Sequence, residues 1–313
     1  MSNGMSSALK NGGEVYNEEV DDALALLPRY LRVYVSHYHD DFYIAKSFDP
    51  RLVAQLMVEG FLPIAGSSRF LLPKLHLERC VLQLSPDSKL HISKSTRKKS
   101  KRFQLSLNEA FDDVVKGCHK QHGINWLFPP IVSAFRALQK ETIDYGDCQT
   151  QLVENGSFQP SGTIPVRFYS VEIWNAETGA LAGGELGYTV GGIYSSLTGF
   201  TKEDAAGSVQ LAALGKLLLQ CGFLRWDLGM EMEYKRQLGA ELIARTDFVR
   251  EVHRTRVENK DLVLRCNGRK NAKDIIDFDR PDNNDATNTK RRSGAKHART
   301  QKDGGAKKRP HDE

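Results

Sequence analysis

What this chain has little of narrows its chemistry first. Among its 313 residues there are five cysteines: Cys80, Cys118, Cys148, Cys221 and Cys266. They are scattered, with no CxxC pair and no histidine at metal-ligand spacing, as expected of single thiols in a reducing compartment. His37, His39, His76, His119 and His122 show no ligand spacing either, so no metal is expected. No apolar run is long enough to cross a bilayer, and no apolar N-terminal signal region is present, so no membrane partner is expected. No Walker loop, dinucleotide-binding glycine fingerprint or nucleophile elbow occurs. Net charge is missing from most of the chain as well. Of 44 Lys+Arg and 39 Asp+Glu, the stretch from Asn267 onward holds 13 and 8, leaving 31 of each before it. The positive excess sits in the tail, so an anion-binding surface on the body requires a local cluster.

One such cluster exists. Lys94, Arg97, Lys98, Lys99, Lys101 and Arg102 form a basic run without an acidic residue among them. Clusters of this kind bind phosphate with salt-sensitive, sequence-independent affinity, although a charge run can also be a plain solvated face.

Composition along the chain marks its organisation. Residues 1–16 are small and polar and read as a disordered N-terminus. A small N-terminal α/β domain is expected over 17–105. It holds a short helix over Glu18–Leu27, strands at Phe42–Ala45 and Cys80–Leu84, and a helix from Pro50 to Glu59 stopped by Gly60. A second domain is expected over 106–266. It begins with amphipathic helices at Asn108–His119, with Asn108 as N-cap, and at Pro130–Lys140. A polar loop insertion covers 142–163. Glycine-punctuated strands follow at Val166–Trp174, Ala180–Val190 and Gly192–Leu197. Then come an apolar helix over Val209–Cys221, a strand over Phe223–Asp227, another over Glu241–Arg245, and a helix from Asp247. Residues 267–313, with KRRSGAK and AKKRP, read as a disordered basic tail. The class is α+β, and the second half has the element order of acetyltransferase-like mixed sheets, an order that unrelated folds share.

Several segments then line up with one family. His91-Ile92-Ser93-Lys94-Ser95-Thr96-Arg97-Lys98 resembles the His-x-Ser-x-Ser-x-Arg-Lys segment of the leucyl/phenylalanyl-tRNA–protein transferases. Asn125-Trp126-Leu127 with the helix after it, Ser170-Val171-Glu172-Ile173-Trp174, the Gly183-Gly184 hairpin, Asp227 and Leu238-Gly239-Ala240 resemble further motifs of that family in the same order. Gly60-Phe61-Leu62-Pro63 resembles its Gly-Ile-Phe-Pro. The resemblance runs from about Phe42 to Phe248 and rests on joint order and spacing. It implies a small N-terminal domain, an acetyltransferase-like catalytic domain, and transfer of leucine or phenylalanine from aminoacyl-tRNA to the N-terminal amine of a protein, which marks that protein for degradation. The implied partners are aminoacyl-tRNA and an acceptor N-terminus; no cofactor is implied, and a monomer is expected. The location expected is cytoplasmic, with nuclear entry left open by the basic tail.

Departures accompany the likeness. Leu197 stands where the family has glutamate, Gly229 where it has the glutamine of Asp-Cys-Gln, and Glu185 where it has an apolar residue. Aminoacyl transfer starts from an activated ester and an amine of pKa about 8, so alignment can supply most of the acceleration, about 7–11 kcal/mol at best. Asp227, at a strand end where α/β folds place ligands, is the candidate catalytic or orienting group; capping of the helix that follows is the plain alternative. The expected aminoacyl pocket comprises Glu185, Tyr194, Leu197, Leu211 and Trp126, with Trp126 also able to stack on a terminal adenosine. Glu185 either re-specifies that pocket for a basic side chain or points outward from a half-exposed strand. The basic run is the expected tRNA contact. Two other classes stay open: a tRNA- or peptide-binding relative with altered chemistry, and a coenzyme A acyltransferase. The second would need a glycine-rich cradle before the long helix, where TKEDAAGS offers one glycine.

Overall fold

The computed structural model describes residues 14–15, 44–146, 150–152, 158–160 and 163–279. The chain divides into a compact unit ending at Ile276 and a second unit from Asp277; the site described below lies within the first. The helix expected over Glu18–Leu27, residues Phe42 and Tyr43, and the basic motifs beyond residue 279 lie outside the described residues.

A four-stranded sheet pairs β1 (Glu14–Val15), β2 (Ile44–Ala45), β4 (Leu71–Lys74) and β3 (Leu62–Ala65). Helix α1 (Pro50–Val58) stands between β2 and β3 in the chain. Proline opens it, the Asp49 carboxylate accepts from the Arg51 N–H at 2.8 Å, and Gly60 turns the chain away with φ +90°. Such a start and stop are what the sequence pattern asks for.

The second sheet positions everything that follows. Among the described residues it has nine strands, ordered β14 (Glu241–Ala244), β5 (Glu78–Gln83), β13 (Arg225–Asp227), β12 (Ile193–Thr201), β11 (Leu181–Val190), β10 (Thr163–Asn175), β6 (Phe103–Leu107) and β15 (Lys270–Asn271), with β7 (Ile143–Gly146) also pairing β10. Strand β5, which lies before residue 106, and β6, which spans it, are thus members of this sheet. Every described pair in it is antiparallel except β12–β13. A parallel neighbour needs a crossover, and α5 (Ala206–Gln220) supplies it. Its Val209, Ala212, Ala213, Leu214, Leu217 and Leu218 pack with Tyr194, Trp226 and Tyr169 on one face of the sheet. The opposite face is covered by α1, α3 (Phe111–His122) and α4 (Pro129–Lys140), whose Val114, Ile131 and Phe135 join Phe168, Leu186 and Tyr188.

Three expectations are corrected. Asn108 is not an N-cap: α3 begins at Phe111, and Asn108 sits at φ +60° with its side chain accepting from the Ser170 N–H at 2.9 Å. Asparagine tolerates this left-handed backbone better than most residues. The segment 142–163, read as a loop for its polarity, contains β7, β8 (Thr150–Leu152) and β9 (Phe158–Pro160), held by backbone pairing rather than by an apolar pattern. The low-complexity reading from Asn267 began too early. β15 pairs β6, and α8 (Ala272–Ile276) buries Ala272, Ile275 and Ile276 against the α5 side of the core. Three small or branched apolar residues among charges give too weak a signal for a helix of five residues.

Candidate functional site

Strands β12 and β13 run side by side only from Ile193 to Ser195 and from Arg225 to Asp227. Beyond that point they part. The chain after Asp227 stays with β5, through Leu228 N–H to Cys80 O at 2.9 Å and Cys80 N–H to Gly229 O at 2.8 Å, while β12 continues to Thr201 alongside β11. The register of β11 and β12 shifts at the same level: Gly187 faces Ser196 and Leu186 faces Thr198, leaving Leu197 as an extra residue. Bulges of this kind bend a strand and re-aim its side chains. The opening lies where β13 ends beside the continuing β12, and strand ends are a place where α/β sheets put ligands.

Asp227 lies at the mouth of the opening and is fully buried. Arg79 Nε donates to its Oδ1 at 3.1 Å and Nη2 to its Oδ2 at 2.5 Å; the Gly229 N–H also donates to Oδ1, at 2.9 Å. Arg79 is itself buried, donates to the Gly60 carbonyl and stacks over Phe248 at 4.3 Å. The carboxylate therefore holds an arginine on one side and a loop amide on the other. It does not cap the short helix α6 (Glu233–Gln237), at whose start no side chain bonds the backbone.

Glu185 points inward, on the α5 face, and is 4% exposed. The outward-facing alternative is thereby ruled out. Tyr194 Oη and Ser196 Oγ donate to its Oε1 at 2.9 and 2.8 Å, and Gln210 Nε2 donates to Oε2 at 3.0 Å. Trp226 Nε1 donates onward to Ser196 Oγ at 2.9 Å. Gly187 makes this possible: a Cβ there would lie 2.3 Å from Tyr194 Oη, so the phenol fills the space of the missing side chain to reach the carboxylate. Among the described residues no cation is bonded to Glu185. Burial pushes its carboxyl up to about 7, against the three donors and the Lys235 charge, which favour the ionised form.

Lys235, on α6, is 8% exposed. Its Nζ donates to Leu228 O at 2.6 Å and Met230 O at 2.7 Å, so it clamps the chain just after Asp227. Burial pulls its ammonium down from the usual lysine range, against Cys80, Asp227 and Glu185, which hold it up. The Leu238-Gly239-Ala240 motif that follows is a packing device. Gly239 has φ +105°, and a Cβ there would meet the Lys89 carbonyl at 2.0 Å.

The other expected pocket residues are distributed over both faces. Tyr194 is buried beside Glu185, and Leu211 packs at the edge of the same α5-side cluster. Leu197 and Trp126 pack against the opposite cluster. Trp126 meets Phe135 edge-on at 6.3 Å and lines a surface cavity of about 240 Å³ with Cys118, His122, Ile124, Leu127 and Thr198. In the basic run, Lys94, Lys98, Lys101 and Arg102 are exposed on and after α2 (Lys94–Lys99). Two members also bond within the chain: Arg97 donates to the Ile276 carbonyl at 3.3 Å, and Lys99 pairs with the exposed Asp204 at 2.9 Å. Asp204 and left-handed Ala205 (φ +68°) precede α5, in place of a glycine cradle. Among the described residues no group of three or more His, Cys, Asp or Glu could hold a metal, and no helix is long and apolar enough to cross a membrane.

Arg79, Ser196, Gln210 and Lys235 were not singled out from the sequence as site residues. A signal existed for two of them: Arg79 directly precedes the apolar run Cys80–Leu82 of its strand, and Gln210 interrupts an apolar helix.

This opening sits inside a segment with known relatives. The chain matches the Leucyl/phenylalanyl-tRNA protein transferase family over residues 82–151 and 162–253. It belongs to that family. A leucyl/phenylalanyl-tRNA–protein transferase from Pectobacterium atrosepticum is 30% identical over 166 residues, covering 52% of this chain and 60% of that one. One from Shewanella baltica is 29% identical over 182 residues, covering 54% and 65%. The chain thus spans somewhat under two thirds of the length of these curated relatives. Among solved structures, the C-terminal domain (DUF2156) of a putative lysylphosphatidylglycerol synthetase from Agrobacterium fabrum is similar at a TM-score of 0.33 and 10% identity, over 78% of this chain and 81% of that one.

Proposed function

We propose that this protein transfers an amino acid from aminoacyl-tRNA to the N-terminal amine of an acceptor protein, marking it for degradation. The observation that carries the reading is the parting of β12 and β13 beyond Ser195 and Asp227, within the segment that matches the family. The acceptor amine nitrogen attacks the ester carbonyl carbon, a C–N bond forms, and the bond to the 3′ oxygen of the terminal adenosine breaks. The proton lost by the amine balances the one gained by the leaving ribose oxygen. The ester is already activated, so the reaction calls for no cofactor and relies on alignment.

Asp227 acts here as a positioning residue. It ties Arg79 to the Gly229 amide and so fixes the loop that forms one wall of the opening. Glu185, Tyr194 and Leu211 contribute the α5-side wall, and Leu197 and Trp126 the other. Exposed Lys94, Lys98, Lys101 and Arg102 contact the tRNA backbone, which needs no fixed base sequence.

The test is transfer from a pool of tRNAs, each charged with a radiolabelled amino acid, to a peptide with a free N-terminus. One label per peptide, abolished by N-terminal acetylation, is the expected result. No label from any charged tRNA would overturn the reading in favour of a binding protein. Label from acetyl-coenzyme A in place of tRNA would favour the acyltransferase class.

A further inference from the structure

The family match ends at residue 253, yet the compact unit runs on to Ile276. The added chain is built onto the basic run. β15 pairs β6 with Lys270 opposite Leu105 and Asn271 opposite Gln104. The pair is antiparallel, so the chain leaving β15 heads back along β6 toward Phe103 and Arg102. There α8 begins, and it packs against the single 3₁₀ turn Ser100–Arg102 that joins α2 to β6. At the end of α8 the Ile276 carbonyl accepts from Arg97 of α2 at 3.3 Å.

Apolar side chains anchor this segment, since Ala272, Ile275 and Ile276 are buried. Arg269 is held as well: its Nε donates to Glu109 at 2.7 Å and its guanidinium stacks over Trp174 at 3.5 Å. Lys270 and Lys273 take no part in that core and are exposed. Residues 267–276 carry three cations and one carboxylate, Asp274, against a body whose charges balance. The exposed cations Lys94, Lys98, Lys101 and Arg102 thus continue into a second set on the neighbouring strand and helix. Paired strands lie about 4.8 Å apart, inside the screening length of about 8 Å at physiological salt. The two sets therefore act on a polyanion together, and they run along a sheet edge, as a phosphate backbone requires, with no enclosed pocket for a single anion.

We infer that β15 and α8, which lie outside the family match, extend the tRNA-binding surface, with Lys270 and Lys273 neutralising backbone phosphates beside those met by Lys101 and Arg102. The inference rests on the aminoacyl-tRNA reading and adds to it a contact from a segment beyond the matched residues. Such a contact carries no base specificity and lengthens the stretch of tRNA held.

The measurement is binding of uncharged tRNA to the full chain by fluorescence anisotropy, over about 50–200 mM salt. Lys270→Ser/Lys273→Ser lowers the slope of log affinity against log salt by about two units, one for each phosphate no longer neutralised. Lys270→Arg/Lys273→Arg keeps the wild-type slope. A control of equal charge on other elements, Lys46→Ser/Lys260→Ser, also keeps it. Circular dichroism of all variants matches the wild type, because the changed side chains are exposed. A wild-type slope in the Lys270→Ser/Lys273→Ser protein overturns the inference, as does an equal fall in the control, which would make the effect one of overall charge. Vesicles containing phosphatidylserine test the other anionic partner: binding that this double variant loses, with its tRNA slope unchanged, gives the surface to a membrane instead. The two levels separate cleanly. A wild type that binds no tRNA removes the aminoacyl-tRNA reading along with this one, whereas tRNA binding that ignores Lys270 and Lys273 removes only the extension.

Discussion

Asp227 and Glu185 are both buried carboxylates at one opening of one sheet, and they are handled in opposite ways. Asp227 has a guanidinium bonded to both oxygens and a loop amide besides. Glu185 has a tyrosine, a serine and a glutamine, and among the described residues no cation bonded to it. Burying a carboxylate against a matched arginine fixes architecture, since removing either partner strands a charge. Burying one against neutral donors leaves it able to change protonation state or to receive a ligand. The comparison shows Asp227 tied to an arginine and a loop amide, and Glu185 held by neutral donors alone.

The largest effect should come from breaking the paired carboxylate. Asp227→Ala and Arg79→Ala each should cost about 3–5 kcal/mol in urea unfolding, because each leaves an uncompensated buried charge. An Arg79→Met/Asp227→Leu double variant should recover most of that loss. If Asp227→Ala unfolds at the wild-type denaturant midpoint, Asp227 is not part of the frame.

Next is the pH dependence of Glu185. Its folded-state value of about 7 lies above the ordinary carboxylate value of 4.5. Its contribution to stability is therefore whole below pH 4.5 and is lost as pH rises through about 7. The shift corresponds to about 3 kcal/mol across that window. Unfolding measured from pH 4.5 to pH 8 should show the wild type losing this increment relative to Glu185→Gln; parallel curves for the two proteins would mean that Glu185 titrates normally.

Tyr194→Phe is a finer cut. It deletes one of the three donors to Glu185 and should cost about 1–3 kcal/mol at neutral pH. The loss should shrink at pH 5, where the carboxyl is neutral, and a pH-independent loss would point to packing alone.

The smallest effect on stability belongs to the exposed cations. Lys94→Ser, Lys98→Ser and Lys101→Ser together should change unfolding by no more than about 0.5 kcal/mol. In tRNA binding, the slope of log affinity against log salt should fall by roughly one unit for each phosphate no longer neutralised. An unchanged slope would place the tRNA elsewhere.

Much of the fold was legible because its long elements carry strong patterns. The proline start and glycine stop of α1, the apolar α5 and the glycine-punctuated strands β10 to β12 lie within a few residues of expectation. Short or polar elements were not, since β7 to β9 and α8 depend on partners distant in the chain. The site was legible in its residue types and illegible in its pairings. Nothing near Asp227 in sequence names Arg79, which is 148 positions away. Glu185 was conspicuous as a departure from the family, but whether it faced in or out hung on a pleat that only Gly187 and Tyr194 settle.

The short helix near the C-terminus has a practical consequence. Expression boundaries are commonly drawn where composition turns repetitive, which here means near residue 266. A chain cut there loses the β15 edge and the Ile275 and Ile276 side chains that cover α5. It also loses the Ile276 carbonyl that holds Arg97, and with it one tether orienting the basic helix α2. Such a shortened protein should bind nucleic acid with a less defined geometry while its sheet opening stays intact, and a boundary after residue 279 avoids the artefact.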